Sequence, residues 1–228
     1  MEYKLNKSQK EAVEYTNSHL LIVAGAGTGK TTVIAQKIAY LIEKGFAKPE
    51  EILALTFTDK AANEMQERID EMVNIDYSDI QISTFHSFCQ KILEEYGLAI
   101  GLSQDFRLLT ETETWLLVKK NFEKFDLDYY RPLGNPSFHI YSLLKHFSKC
   151  KDELISADDY MDYAENSKLD KDNIESEKNR LVEIANAYHV YNHLLLDNSS
   201  LDFGDLLFYT IKLLETKSQI LISLQKKF

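Results

Sequence analysis

Cysteine, proline and long apolar runs are all scarce in this chain of 228 residues. The two cysteines, Cys89 and Cys150, fall in different expected helices, with no C-x-x-C spacing and no clustered histidines, which excludes a disulfide framework and a zinc site. Both read as reduced, partly buried small apolar residues. No apolar stretch approaches the roughly 18 residues that span a bilayer, and Met1 to Lys10 is mostly polar, unlike a secretory leader. No membrane partner is expected, and a soluble, cytoplasmic protein is. Positive charge is also lacking. The formal net charge of -10 argues against binding nucleic acid through general basicity, so any such site must be local. Between Asp152 and Glu177 ten carboxylates face two lysines, which reads as a solvated face. Apolar residues, at 44%, are numerous enough for a sizeable core.

Glycine is sparse but concentrated: three of the eight glycines are Gly25, Gly27 and Gly29. They follow the apolar run Leu20 to Val23, which reads as a strand buried on both faces, and precede a helical pattern. Such a turn lets successive N–H groups converge on an anion at a helix N-terminus. Residues 24–32, Ala-Gly-Ala-Gly-Thr-Gly-Lys-Thr-Thr, therefore read as a phosphate cradle. Lys30 is placed to reach the β and γ phosphates of ATP, and the Thr31 hydroxyl to take one position on Mg2+. Gly25, Ala26, Gly27, Thr28 and Gly29 supply the loop backbone. Ala24 stands where the strict motif has its first glycine.

A helix from about Lys7 to Tyr15 opens the chain, with Asn6 as N-cap. Two roles compete for Gln9. Its amide closes a capping box with Asn6, or it presents one donor and one acceptor to an adenine edge. After the cradle, Lys30 to Glu43 has helical spacing and ends near Gly45. Ile52 to Thr56 reads as a second strand, parallel to the first, and Asp59 to Met72 as a helix with Ala61, Met65, Ile69 and Met72 on one stripe. Ile80 to Thr84 is a third strand, followed by a helix from about Ser87 to Tyr96. Ligands gather at the carboxyl ends of such strands. Phe57, Thr58 and Lys60, with Thr84, Phe85, His86 and Ser87, lie there as a candidate single-strand groove, offering a ring for a base and short donors for phosphates. Core packing for Phe57 and a structural role for His86 are the competing readings.

From about residue 105 the alternation of strand and helix ceases. Thr110 to Glu113 is a capping box opening a helix to about Phe125, and Asp126 to Pro136 is a loop. Further helices read at about Ser137 to Lys151, Ala157 to Asn166 and Asn173 to Leu196. The aromatics of this block, Trp115, Phe122, Phe125, Phe138, Tyr141 and Phe147, read as core. A loop at 197–200 precedes a helix capped by Asp202, and a short helix near Ser218 to Lys226 follows.

These strings stand in a telling order. Leu5-Asn6-x-x-Gln9, the loop at 24–31, Thr56-Phe57-Thr58-Asp59-Lys60-Ala61-Ala62-x-Glu64-Met65, Ser83-Thr84-Phe85-His86-Ser87 and Leu201-Asp202-Phe203-x-Asp205-Leu206 resemble the UvrD/Rep/PcrA family of superfamily 1 helicases. The resemblance implies an α/β fold: a P-loop NTPase (RecA-like) parallel sheet, incomplete, with an inserted all-helical subdomain. The implied division is 1–104 for the first part of the ATP-binding domain, 105–200 for the insert and 201–228 for the return to the RecA-like domain. By the resemblance Gln9 reads adenine, Phe57 and Thr58 are the first contacts to single-stranded DNA, and Thr84 and His86 line the same track; Lys60, at the same strand end, is a further candidate DNA contact. The family commonly has an arginine after the P-loop threonine, where this chain has Thr32, which implies looser base selectivity.

The implied activity is an ATP-dependent DNA helicase moving 3′ to 5′ on single strands or single-strand/duplex junctions in repair, replication or recombination. The implied partners are a second RecA-like domain and repair or recombination proteins. The family's Asp-Glu strand falls after the position of Phe228, so residues 1–228 alone are expected to show a broken sheet, weak ATP binding and no DNA-stimulated turnover. Asp202 and Asp205 are the carboxylates to examine if turnover occurs. Rival readings are the helicase arm of a recombination helicase-nuclease or phage-defence system, and a P-loop nucleotide switch with a helical partner-binding module.

Overall fold

The computed structural model describes residues 5–72, 80–167 and 174–228. It is a mixed α/β protein with many helices and, among the described residues, two short parallel sheets. The chain divides into two compact units, residues 1–88 with 219–228, and residues 89–218.

In the first unit, Asn6 Oδ1 accepts from Gln9 N at 2.9 Å while Gln9 Oε1 accepts from Asn6 N at 2.9 Å, so the capping box starts α1 (Lys7–Glu14). At its other end Lys37 Nζ, from α2 (Lys30–Glu43), donates to the carbonyls of Ala12 at 3.3 Å and of Tyr15. A cation at a helix C-terminus satisfies carbonyls that the helix leaves unpaired. Gly45, with φ 68°, carries the chain out of α2. Strand β1 (Leu53–Thr56) is joined through α3 (Asp59–Met72) to β2 (Gln81–Thr84), and the two strands pair in parallel from Leu53↔Gln81 to Thr56↔Thr84. Ile38, Ala39, Ile52, Ala54, Met65, Ile69 and Ile80 pack into one core between strand and helix. On α3 the buried alanine is Ala62, where the sequence pointed to Ala61, and Met65 and Ile69 complete the stripe.

Leu20 to Val23 differs from the expected buried strand. It joins no ladder among the described residues, and Leu21 and Val23 are 86% and 89% exposed. An apolar run records what a segment must bury, but burial needs neighbouring strands on both sides, and β1 and β2 pair with each other instead.

The helix α4 (Phe85–Tyr96) begins two residues earlier than expected and runs out of the first unit. The second unit contains β3 (Arg107–Leu108), α5 (Glu111–Lys120), α6 (Ile140–Asp152), α7 (Ala157–Asn166), α8 (Ile174–Asp197), β4 (Ser200–Leu201) and α9 (Phe203–Thr216); α10 (Ser218–Lys227) ends the chain. Thr110 and Glu113 cap α5 reciprocally, as their spacing indicates. That helix stops at Lys120 because the Asn121 side chain donates to the Leu117 carbonyl at 2.9 Å, and Phe122–Lys124 forms a separate 3-10 turn. Strands β3 and β4 pair in parallel over two residues, too short a ladder to show a period in the sequence.

The core of this unit gathers Val118, Phe122, Phe125, Leu143, Phe147, Tyr188 and Tyr191, with the Phe147 and Tyr188 rings stacked at 4.9 Å. Phe138 and Tyr141 are exposed, a correction to the reading of every aromatic here as core. Lys151, 1% exposed, is also inside: its Nζ lies 2.7 Å from both Asp202 Oδ2 and Asp205 Oδ1 and ties α6 to the start of α9. Among the described residues no helix is long and apolar enough to cross a membrane. Cys89 and Cys150 are buried free thiols, and burial raises the pKa of each.

Candidate nucleotide and nucleic-acid site

The glycine-rich loop takes the backbone its composition allows. Gly27 has φ 75° and Gly29 has φ 85°, both left-handed, and Gly29 is the N-cap of α2. Only glycine occupies this region at no steric cost. Gly25, by contrast, has φ outside that region, and a Cβ there would meet only ordinary contact with Thr28. Thr28 Oγ1 closes the loop by donating to the Gly25 carbonyl at 2.8 Å. Lys30 Nζ donates to the carbonyls of Ala24 at 2.9 Å and Gly25 at 2.6 Å, so the ammonium rests on the loop that bears it. The N–H groups of Gly27, Thr28 and Gly29 donate to no other backbone carbonyl among the described residues, and Ala26 is exposed beside them. Free donors, a helix N-terminus and a cation in one loop are what a polyphosphate requires.

Of the two roles expected for Gln9, the structure shows the cap, together with a contact to the loop that the sequence did not indicate. Gln9 Oε1 serves the cap, and its Nε2 donates to the Thr28 carbonyl at 3.1 Å, fastening α1 to the loop. Thr31 and Thr32 begin α2 beside Lys30, and Thr32 Oγ1 accepts from Arg68 Nη1 of α3 at 3.0 Å. Arg68 was not singled out from sequence. Its signal was its position on the stripe-flanking face of α3, one residue from buried Ile69.

At the carboxyl ends of β1 and β2 the side chains separate into two kinds. Phe57 is 89% exposed, so it is not core, and its ring centroid lies 5.6 Å from that of Phe85 at an interplanar angle of 40°. The partnership of Phe85 was missed in sequence, though both residues directly follow strands. Lys60 is exposed and makes a long surface contact of 4.0 Å with Glu64. Thr58 Oγ1 accepts from Ala61 N at 3.2 Å, capping the start of α3. Thr84 is buried, and its hydroxyl is shared with Ser87 at 2.8 Å as α4 begins. His86 is exposed at the same turn. Two rings and a lysine thus face solvent, while both threonine hydroxyls are engaged locally.

Asp202 and Asp205 lie in the second unit and are fully engaged. Asp202 Oδ2 accepts from Lys151 and from the Tyr191 hydroxyl, and Asp202 Oδ1 from Asp205 N; Asp205 Oδ2 accepts from Asp202 N at 2.9 Å. Burial pushes Asp205 up to about 6, while the Lys151 ammonium outweighs burial at Asp202 and holds it below its ordinary value. One cation between two buried carboxylates leaves the second carboxyl holding its proton further toward neutrality.

The family described as UvrD/REP helicase N-terminal domain matches residues 5–228. The ATP-dependent DNA helicase PcrA of Bacillus subtilis (strain 168) is 36% identical over 224 residues, covering 98% of this chain and 28% of the relative. The protein of the same name from Leuconostoc citreum is 34% identical over 225 residues, with the same coverage of 98% and 28%. That of Staphylococcus aureus (strain Mu50 / ATCC 700699) is 34% identical over 224 residues. The chain spans about 28% of the length of these curated relatives.

Proposed function

The chain belongs to the UvrD/REP helicase family, and we propose that it forms the ATP- and single-strand-binding part of an ATP-dependent DNA helicase moving 3′ to 5′. The observation that carries this reading is the loop at 24–32: two left-handed glycines, unpaired N–H groups and the Lys30 ammonium at the start of α2. ATP fits these residues. Its phosphates would replace the carbonyls of Ala24 and Gly25 as partners of Lys30, and the loop N–H groups would take further oxygens. Thr31 would contribute one oxygen to Mg2+, which would supply charge neutralisation to the triphosphate. No cluster of His, Cys, Asp or Glu fit to hold a metal stands among the described residues, so the other positions fall to the nucleotide, to water or to carboxylates supplied elsewhere. The Gln9 amide addresses the base, exchanging its bonds to Asn6 and Thr28 for bonds to adenine.

Phe57 and Phe85 offer a platform for stacked bases, with Lys60 beside it for a phosphate. Thr58, Thr84 and His86 border the same strand ends. In this reading the first unit is the start of a RecA-like P-loop domain, with a helical insert at 105–200 and a return at 201–228. The partners are single-stranded or junction DNA, a second RecA-like domain, and proteins of repair or recombination. Partial duplexes carrying a 3′ or a 5′ single-stranded tail test the proposal in the full-length protein. ATP-dependent strand separation of the 3′-tailed substrate is the expected result, and failure on both substrates would contradict it.

A further inference from the structure

The helix α1 has eight residues, and helices shorter than about 12 to 15 residues are marginal by themselves in water. Contacts at its two ends therefore decide where Gln9 points. At the first end Gln9 Nε2 donates to the Thr28 carbonyl at 3.1 Å and stands 3.3 Å from the place a Cβ on Gly29 would take. At the other, the half-buried Lys37 Nζ donates to the carbonyls of Ala12 at 3.3 Å, of Val13 at 3.4 Å and of the C-cap Tyr15. These belong to the last carbonyls of the helix, which it cannot pair internally. The last turn of α1 has no basic residue of its own. Its cation comes from α2, about two turns along from Lys30, and a charge-assisted bond to a carbonyl is stronger than a neutral one.

The two ends part company when a nucleotide arrives. In the proposed site the Gln9 amide exchanges Asn6 and Thr28 for adenine, so α1 gives up this tie to the loop just when its position matters. The Lys37 contacts do not pass through Gln9 and are kept. We infer that Lys37 is a positioning residue for base recognition, which grips the C-terminal carbonyls of α1, holds that helix on α2 and so sets the Gln9 amide beside Gly29, where adenine is read. The inference rests on the reading of residues 24–32 as an ATP site with Gln9 as its adenine contact. Because Lys37 acts through Gln9, its loss is felt by ligands that carry the base and not by the phosphates alone.

Displacement of a ribose-labelled fluorescent ATP analogue by ATP and by inorganic tripolyphosphate, which has the phosphates without the base, tests this in the full-length protein. Lys37→Met is expected to weaken ATP about fivefold, the scale of one to two neutral hydrogen bonds, and to leave tripolyphosphate unchanged. Lys37→Arg, which keeps a cation for the same carbonyls, is expected to restore the parent's ATP affinity, and Lys37→Gln, which keeps a neutral donor, to restore part of it. In a Gln9→Ala background Lys37→Met should cost nothing further, because the contact it positions is already gone. Should Lys37→Met not fold, the same comparison is read on Lys37→Gln. Equal weakening of both ligands, a loss that adds in full to that of Gln9→Ala, or unaltered ATP affinity would each overturn the inference and leave Lys37 a residue of the fold alone. If Gln9→Ala itself weakens ATP no more than tripolyphosphate, the reading of Gln9 as the adenine contact is what fails, and the inference falls with it.

Discussion

The Lys30 ammonium lies 2.6 Å from the carbonyl oxygen of Gly25 in its own loop. With the Ala24 carbonyl as a second acceptor, the charge is held by two neutral oxygens, which in the proposed ATP site a phosphate would displace. A charge-assisted bond replaces a weaker one, so the exchange favours the anion. On the proposed function, the left-handed Gly27 and Gly29 shape the loop for an exchange of partners at one side chain.

Phe57→Ala is expected to weaken single-stranded DNA binding by about 1 to 3 kcal/mol, the range for one base-aromatic stack. Because the ring is exposed and packs against the ring of Phe85, itself exposed, folding stability should change little. Fluorescence anisotropy with a labelled oligonucleotide, beside a urea melt, separates the two effects. A large stability loss with DNA affinity intact would return Phe57 to the core.

Lys151→Met should destabilise the second unit by about 3 to 5 kcal/mol, since it leaves Asp202 and Asp205 buried without their cation. Urea denaturation measures it. A change within about 0.5 kcal/mol, as for an ordinary surface site, would show that the ion pair does not hold α6 to α9.

Stability should also depend on pH through Asp205. Burial raises its pKa from 3.8 to about 6, so between these values the folded chain keeps a proton that the unfolded chain has released. Its contribution to stability therefore falls as pH rises through that window. Asp205→Asn should flatten this part of the profile, read as urea midpoints at either end of the window. An unaltered slope would place the titration on another group.

Much of the site was legible because its chemistry is local. The capping boxes at Asn6 and Thr110, the start of α2 at Lys30 and the bounds of α3 all follow from residues within four positions of one another. What escaped depends on distant partners. Leu20 to Val23 carries the composition of a buried strand, yet no neighbour among the described residues covers it. The Phe57 and Phe85 rings are 28 positions apart in the sequence and meet because β1 and β2 lie side by side in register. Lys151 occupied an apolar position four residues beyond Phe147, a hint that a buried cation needs carboxylates, but nothing local named Asp202 and Asp205. Arg68 likewise reaches Thr32 across 36 positions.

The most direct test is steady-state ATP hydrolysis by the full-length protein, with and without single-stranded DNA, for the parent and for Lys30→Ala. Turnover that single-stranded DNA stimulates, and that Lys30→Ala abolishes in both conditions, is the expected result. Turnover indifferent to DNA, or undiminished by Lys30→Ala, would contradict a nucleotide-driven DNA motor built on this loop.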